Sequence, residues 1–247
     1  MDYGLKLDSF VLEDLYGKTL TDRLNQKYHI TCLYLAKLAW RNVDTVIKDL
    51  TDMGATKIKF YDSLGVQGYF AEFDDVAVVA FRATEWGEAH DLKIDFTFWK
   101  TDFRGLKAHK GFATAIQKVL PEIEADLALV PPTKRVLYTG HSLGGALAAM
   151  LAVVRKPTDL CTFGQPRIFG GTIPTEIYQG VNYHRVVVQW DWVRLIPPNI
   201  PFLLSYKHAG IRRLLKRRIS FSVLWAGDHN LSTYLELLVK EDGTLDS

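Results

Sequence analysis

Arg135-Val136-Leu137-Tyr138-Thr139-Gly140-His141-Ser142-Leu143-Gly144-Gly145-Ala146-Leu147-Ala148 is the stretch whose reading decides the fold. Arg135 to Thr139 is a short, dense run with apolar and β-branched residues, the pattern of a strand buried on both faces. Gly140 to Gly144 fits G-x-S-x-G, in which small flanking residues let the backbone turn sharply from a strand into a helix and present a serine hydroxyl. Ala146 to Val154 is apolar around its whole circumference, as a helix deep in a core would be. The bare five-residue pattern is weak, since chance supplies it in roughly one chain of this length in twelve at average glycine usage. The setting between a strand and a buried helix gives it weight and makes Ser142 the candidate nucleophile. A serine that merely caps a glycine-rich helix entry would leave the residues downstream unexplained.

Working outward, Val76 to Phe81, Leu160 to Phe163 and Val186 to Trp190 repeat the buried-strand pattern, while Lys57 to Tyr61 and Gln67 to Phe73 read as strands around a turn at Leu64-Gly65. Tyr28 to Leu50 is helical in character, and Ala113 to Leu129 carries Ile116, Val119, Leu120, Ile123 and Leu127 at helical spacing. Strands alternating with helices predict an α/β fold with a mainly parallel central sheet flanked by helices. No repeat, low-complexity tract or Gly/Ser linker marks a boundary, so residues 1–247 are expected to form a single domain.

The composition agrees. At 247 residues the chain has the size of one large core, and 48% hydrophobic against 23% charged residues excludes a disordered or fibrous protein. A net charge of +2 lacks the basic field of a nucleic-acid binder. The longest nearly unbroken apolar run, Gly144 to Val154, is far shorter than the roughly 20 residues that span a bilayer. Asp2 and Asp8 replace the positive start of a secretory signal, and no apolar segment follows; the expectation is a cytoplasmic protein or a mature form without its leader. Cys32 and Cys161 lie in apolar stretches and read as small core residues, which favours a reducing compartment. Nothing reads as a metal or cofactor site: there is no H-E-x-x-H, no zinc-spaced cysteine pair and no Walker loop.

A serine nucleophile needs a base and an acid, which follow it in the order acid, histidine in an α/β-hydrolase arrangement. Asp191 lies 49 residues beyond Ser142 at the carboxyl end of the strand Val186 to Trp190, the edge where sites in open α/β sheets collect. Its rival Asp159 precedes a strand and faces the other edge. Of seven histidines, His184, His208 and His229 come far enough after the serine. His184 opens the strand that leads to Asp191, at the wrong end. Spacing leaves His208 and His229 both open, with His229 favoured in a loop ahead of the helical Leu231 to Lys240.

Taken together, these residues resemble the class 3 lipase family, the α/β-hydrolase group that includes the fungal triacylglycerol lipases. The resemblance spans roughly residues 60–235 and rests on Gly140 to Ala148, Phe81-Arg82-Ala83-Thr84, Lys107 to Phe112, Phe163-Gly164-Gln165-Pro166-Arg167, Asp191 with Pro197-Pro198, Lys207 to Gly210, and Asp228-His229 with Tyr234. It implies that His229 is the base, that His208 is structural, and that Thr84 and the N–H of Leu143 form the oxyanion hole. Two departures stand out. Ala83 replaces the family's usual Gly, and Trp192-Val193-Arg194 follows Asp191 where the family usually carries Pro-Val-Pro.

The resemblance further implies a short amphipathic lid over Glu85 to Lys93, with Trp86 and Leu92 as its apolar side chains; the same stretch also reads as a polar connection to the next strand. Phe96, Phe98, Trp99 and Phe103 read either as an acyl groove or as a packed strand. Phe202, Leu203 and Leu204 stand where family members often border the acyl site. Lys207 to Arg218 has six basic and no acidic residues, and reads as a partly core-packed helix or edge strand or as a face for anionic lipid. The expected function is hydrolysis of long-chain acylglycerol esters, with transient contact to a lipid interface and no cofactor. A phospholipase A1 or short-chain esterase is the alternative within enzymes. An inactive hydrolase fold serving as an interaction module is the alternative outside them, and the intact Ser142, Asp191 and His229 argue against it.

Overall fold

In a computed structural model, residues 18–63, 65–83, 99–200, 205–216 and 227–242 are described. Three helices come first, α1 (Leu20–Gln26), α2 (Tyr28–Leu38) and α3 (Val43–Asp52). The helix expected over Tyr28 to Leu50 is therefore two helices. Asn42 breaks it by capping α3, its side chain accepting from the Thr45 N–H at 2.8 Å. α1 was not anticipated; a capping box between Thr19 and Asp22 starts it.

Strands β1 (Lys57–Ser63), β2 (Val66–Glu72) and β3 (Val76–Ala83) form an antiparallel meander. Beyond it β6 (Arg135–His141), β7 (Asp159–Phe163), β9 (Asn182–Val188) and β11 (Ile211–Leu215) add in parallel, in the order β1-β2-β3-β6-β7-β9-β11. A second small sheet is built from β4 (Lys100–Phe103), β5 (Leu106–His109), β8 (Phe169–Gly170) and β10 (Tyr206–Lys207). Helices α4 (Lys110–Ala128) and α5 (Leu143–Val154) cover one face of the main sheet; α2 and α6 (Leu231–Glu241) pack on the other, α1 against α2.

Alternation along the strands sorts the core into two halves. In β3, Val76, Val78 and Ala80 join the cluster under α2, whereas Ala77, Val79 and Phe81 join the one under α4 and α5. The same alternation in β6 turns Gly140 toward α5, where a Cβ would collide with the backbone of Gly144, and turns His141 to the opposite face. β9 begins at Asn182 and ends at Val188, so Asp191 follows the strand after a two-residue turn rather than directly. Asp159 opens β7 at the far edge, tied to Arg135 at 2.5 Å. Of the basic segment, Ile211 to Leu215 is the edge strand β11, and residues 217–218 lie outside the described ones.

Candidate active site

Three segments converge at the carboxyl edge of the parallel strands. Ser142 joins β6 to α5 with φ 56° and ψ −126°, a left-handed conformation that non-glycine residues rarely adopt and that marks strain held by its surroundings. The fold holds it tightly: its N–H donates to the Phe163 carbonyl at 2.8 Å, and a Cβ on Gly144 would strike the Phe81 carbonyl. Asp191, fully buried, leaves the turn after β9. His229 ends a short 3-10 turn, Gly227–His229, that leads into α6.

The hydrogen bonds form one chain. His229 Nε2 lies 2.8 Å from Ser142 Oγ, and His229 Nδ1 lies 2.9 Å from Asp191 Oδ2. Because a carboxylate only accepts, Nδ1 carries the proton and Nε2 is left to accept from the serine hydroxyl. Asp191 is itself held by donors: the Val193 N–H reaches Oδ1 at 2.9 Å and the Tyr234 hydroxyl reaches Oδ2 at 2.5 Å. The Tyr234 hydroxyl also accepts from the Val188 N–H at 3.2 Å, which ties α6 to the end of β9. Such a chain can move a proton from a serine to an imidazole held by a buried carboxylate. Leu143 opens α5, so its N–H has no partner within the helix.

Residues 78–200 match the family model of class 3 lipases. This chain belongs to the class 3 lipase family. It is 30% identical over 140 residues to a lipase of Rhizopus niveus, covering 51% of this chain and 34% of that protein. It is 35% identical over 113 residues to secreted mono- and diacylglycerol lipase 1 of Fusarium solani, covering 42% of this chain and 33% of that one. Such alignments span about a third of the length of these curated relatives. Among solved structures, lipase from Rhizopus microsporus var. chinensis superposes with a TM-score of 0.60 at 25% identity over 77% of this chain and 75% of that one. The Rhizomucor miehei lipase propeptide complex does so with 0.63 at 25% identity over 79% and 69%. The shared fold is the α/β-hydrolase fold.

As a class 3 lipase chain, it brings Ser142, His229 and Asp191 together and keeps His208 apart. His208 Nε2 donates instead to the Arg194 carbonyl at 2.7 Å, and burial, then Arg185, pushes its pKa down to about 3. Thr84, Trp86, Leu92 and the rest of the Glu85 to Lys93 segment lie outside the described residues, as do Phe96, Phe98 and Phe202 to Leu204. Ala83 is an ordinary strand residue, paired with Val66 and without positive φ, so the departure from Gly costs no backbone strain. In the altered acid loop, Arg194 Nη2 donates to the Gln189 carbonyl at 3.0 Å and ties the two sides of the turn that carries Asp191.

Two residues escaped the reading of the sequence. His141, inside the serine motif, bonds through Nε2 to the His229 carbonyl at 2.7 Å, and its ring centroid lies 4.5 Å from that of His229. Burial and the neighbouring His229 keep its pKa well below the usual histidine value, so it meets His229 as a neutral donor. Gly164, with φ 57°, sits where a Cβ would lie 2.8 Å from Asp191 Oδ2 and 3.0 Å from His229 Nδ1. The signal for both was their place in family blocks, but their partners are far away in sequence.

Proposed function

We propose that this protein is a serine carboxylic ester hydrolase acting on acylglycerols, with residues 1–247 as one hydrolase domain. The observation that carries the reading is the unbroken Ser142–His229–Asp191 chain, at 2.8 and 2.9 Å, on the carboxyl edge of the sheet. Ser142 Oγ attacks the ester carbonyl while His229 takes its proton; Asp191 holds the tautomer and stabilises the imidazolium. The alkoxide leaves with the proton from His229 as the acyl-enzyme forms, and water activated by the same histidine releases the acid. The Leu143 N–H and Thr84 are the proposed donors to the developing oxyanion. Trp86 and Leu92 belong to the proposed lid. The acylglycerol class is supported by the relatives, among them a lipase and a mono- and diacylglycerol lipase.

Hydrolysis of p-nitrophenyl esters from short to long acyl chains and of emulsified triglyceride tests the reading, with Ser142→Ala and His229→Ala as controls. Loss of activity in both variants, together with preference for long chains and emulsion, is the expected result. Preference for short soluble esters without an interface effect replaces lipase by esterase. Folded wild-type protein that neither turns over esters nor takes a serine-directed fluorophosphonate overturns the enzyme reading.

A further inference from the structure

β9 and β11 end the main sheet in parallel register, with Arg185 opposite Arg212. Paired positions on neighbouring strands face the same side, so two guanidinium-bearing residues share it; on the other face Arg213 is paired with Glu241 at 2.9 Å. Two further arginines arrive from loops. Arg167, past the end of β7, donates to the carbonyls of Leu195 and Pro197. Arg194 contributes its own carbonyl as the acceptor for His208 Nε2, and Arg185 Nε donates to Ala209, the next residue, at 3.3 Å. The segments 194–197 and 208–209 thus join Arg167, Arg185 and Arg194 through main-chain carbonyls, and the charges of Arg167 and Arg194 lie near enough to act on both Arg185 and His208.

Among the described residues, none of these four arginines is ion-paired with a carboxylate, although Arg135 and Arg213 are. Arg185 is only 6% exposed, and a guanidinium that deep without a counter-charge is costly. Burial, then the nearby Arg212, Arg194 and Arg167, lower its pKa, yet an arginine stays charged. Two buried polar atoms in the same cluster have no partner: Arg194 Nε, a donor, and His208 Nδ1, which accepts because Nε2 carries the proton.

A ligand that fits this cluster needs negative charge, several acceptor oxygens for guanidinium forks and one donor for His208. A phosphate monoester or inorganic phosphate fits: its oxygens suit arginine forks, and its monoanion, in equilibrium with the dianion around a second pKa of about 6, carries a P–OH that can donate to His208 Nδ1. Sulfate and a phosphodiester lack that proton near neutral pH. We propose that Arg167, Arg185, Arg194 and Arg212, with His208 Nδ1, form a binding site for a phosphate-monoester group. The site would give the basic segment after Lys207 a ligand, and it does not depend on ester hydrolysis.

The test is thermal unfolding of the full chain at constant ionic strength in chloride, inorganic phosphate or sulfate. Flotation with phosphatidylcholine vesicles carrying phosphatidic acid or phosphatidylglycerol runs beside it. Phosphate at ten times its dissociation constant is expected to raise Tm by about 3 to 6 °C, with a smaller effect of sulfate. Arg194→Gln and the exposed Arg212→Gln are expected to remove the rise, while Arg213→Gln keeps it. Binding of phosphatidic acid vesicles without a response to free phosphate supports the site with a lipid headgroup as its source; the reverse supports it with a soluble phosphate. An equal response to sulfate and phosphatidylglycerol, persistence of the rise in both Arg194→Gln and Arg212→Gln, or no response to any probe overturns it.

Discussion

Gly164→Ala tests the site geometry directly. The added methyl carbon would sit 2.8 Å from Asp191 Oδ2, 2.9 Å from His229 Cε1 and 3.0 Å from His229 Nδ1. Carbon contacts relax only near about 3.5 Å, so the carboxylate and the ring must each retreat by roughly half an ångström or more. Their bond is 2.9 Å long at present and would be stretched out of hydrogen-bond range, swinging Nε2 away from Ser142. A misplacement of about 1 Å costs on the order of 10²-fold in rate. The φ of 57° adds a separate cost of about 1 to 2 kcal/mol for any side chain with a Cβ. Gly180→Ala isolates that second term, because Gly180 has φ 83° and open space around it. Gly180→Ala is expected to lose about 2 to 8 °C in Tm and Gly164→Ala at least as much, but only Gly164→Ala should lose kcat on p-nitrophenyl esters, by about 10²-fold. If the two variants keep the same kcat, the argument that Gly164 guards the Asp191–His229 contact is refuted.

Asp191→Asn is expected to lower kcat by about 10⁴-fold while the protein stays folded, because an amide can force the wrong tautomer on His229; activity within tenfold of wild type would remove Asp191 from the mechanism. Tyr234→Phe strips Asp191 of one donor and leaves the Val188 N–H without its acceptor, so urea unfolding should show a loss of about 3 kcal/mol. His141→Phe keeps a ring against His229 but removes the bond to its carbonyl. A fall in kcat of about tenfold with little change in KM is expected, and an unchanged kcat assigns His141 to packing alone. Acid should destabilise the protein early. Burial, with Arg213 and His184, pushes His29 down to about 4, and burial does the same to His109. Their unfolded values are near about 6.5, so between there and about pH 4 the unfolded chain binds protons that the folded one does not. Stability is therefore full above about pH 6.5 and falls as pH drops to about 4; a constant urea midpoint across that window contradicts the shifts.

Much of the fold was legible because its signals are local. The glycine-flanked Ser142, the strand before it and the wholly apolar helix after it each show in a window of a few residues. The split of the first long helix was missed because the period of apolar residues runs on through Asn42, whose capping bond decides the break. The end of β9 at Val188 was also missed, since Trp190 resumes the apolar pattern one residue past Gln189, but both residues turn away from the ladder. For the base, spacing left His208 and His229 open, and family likeness pointed to His229. In the structure the segment that follows β10 binds His208 to the Arg194 carbonyl, while the turn before α6 brings His229 to Ser142.

The sequence by itself determined most of the central strands, the buried helix after Ser142 and the sharp turn that carries that serine, because these depend on neighbours along the backbone. Only the tertiary structure decided which side chains meet. The register of β9 against β11 pairs Arg185 with Arg212, and the docking of α6 delivers Tyr234 to Asp191. The alternation of β6 turns His141 toward His229. Those contacts join residues tens of positions apart, and their energies are set by burial and direction in space, which no window along the chain contains.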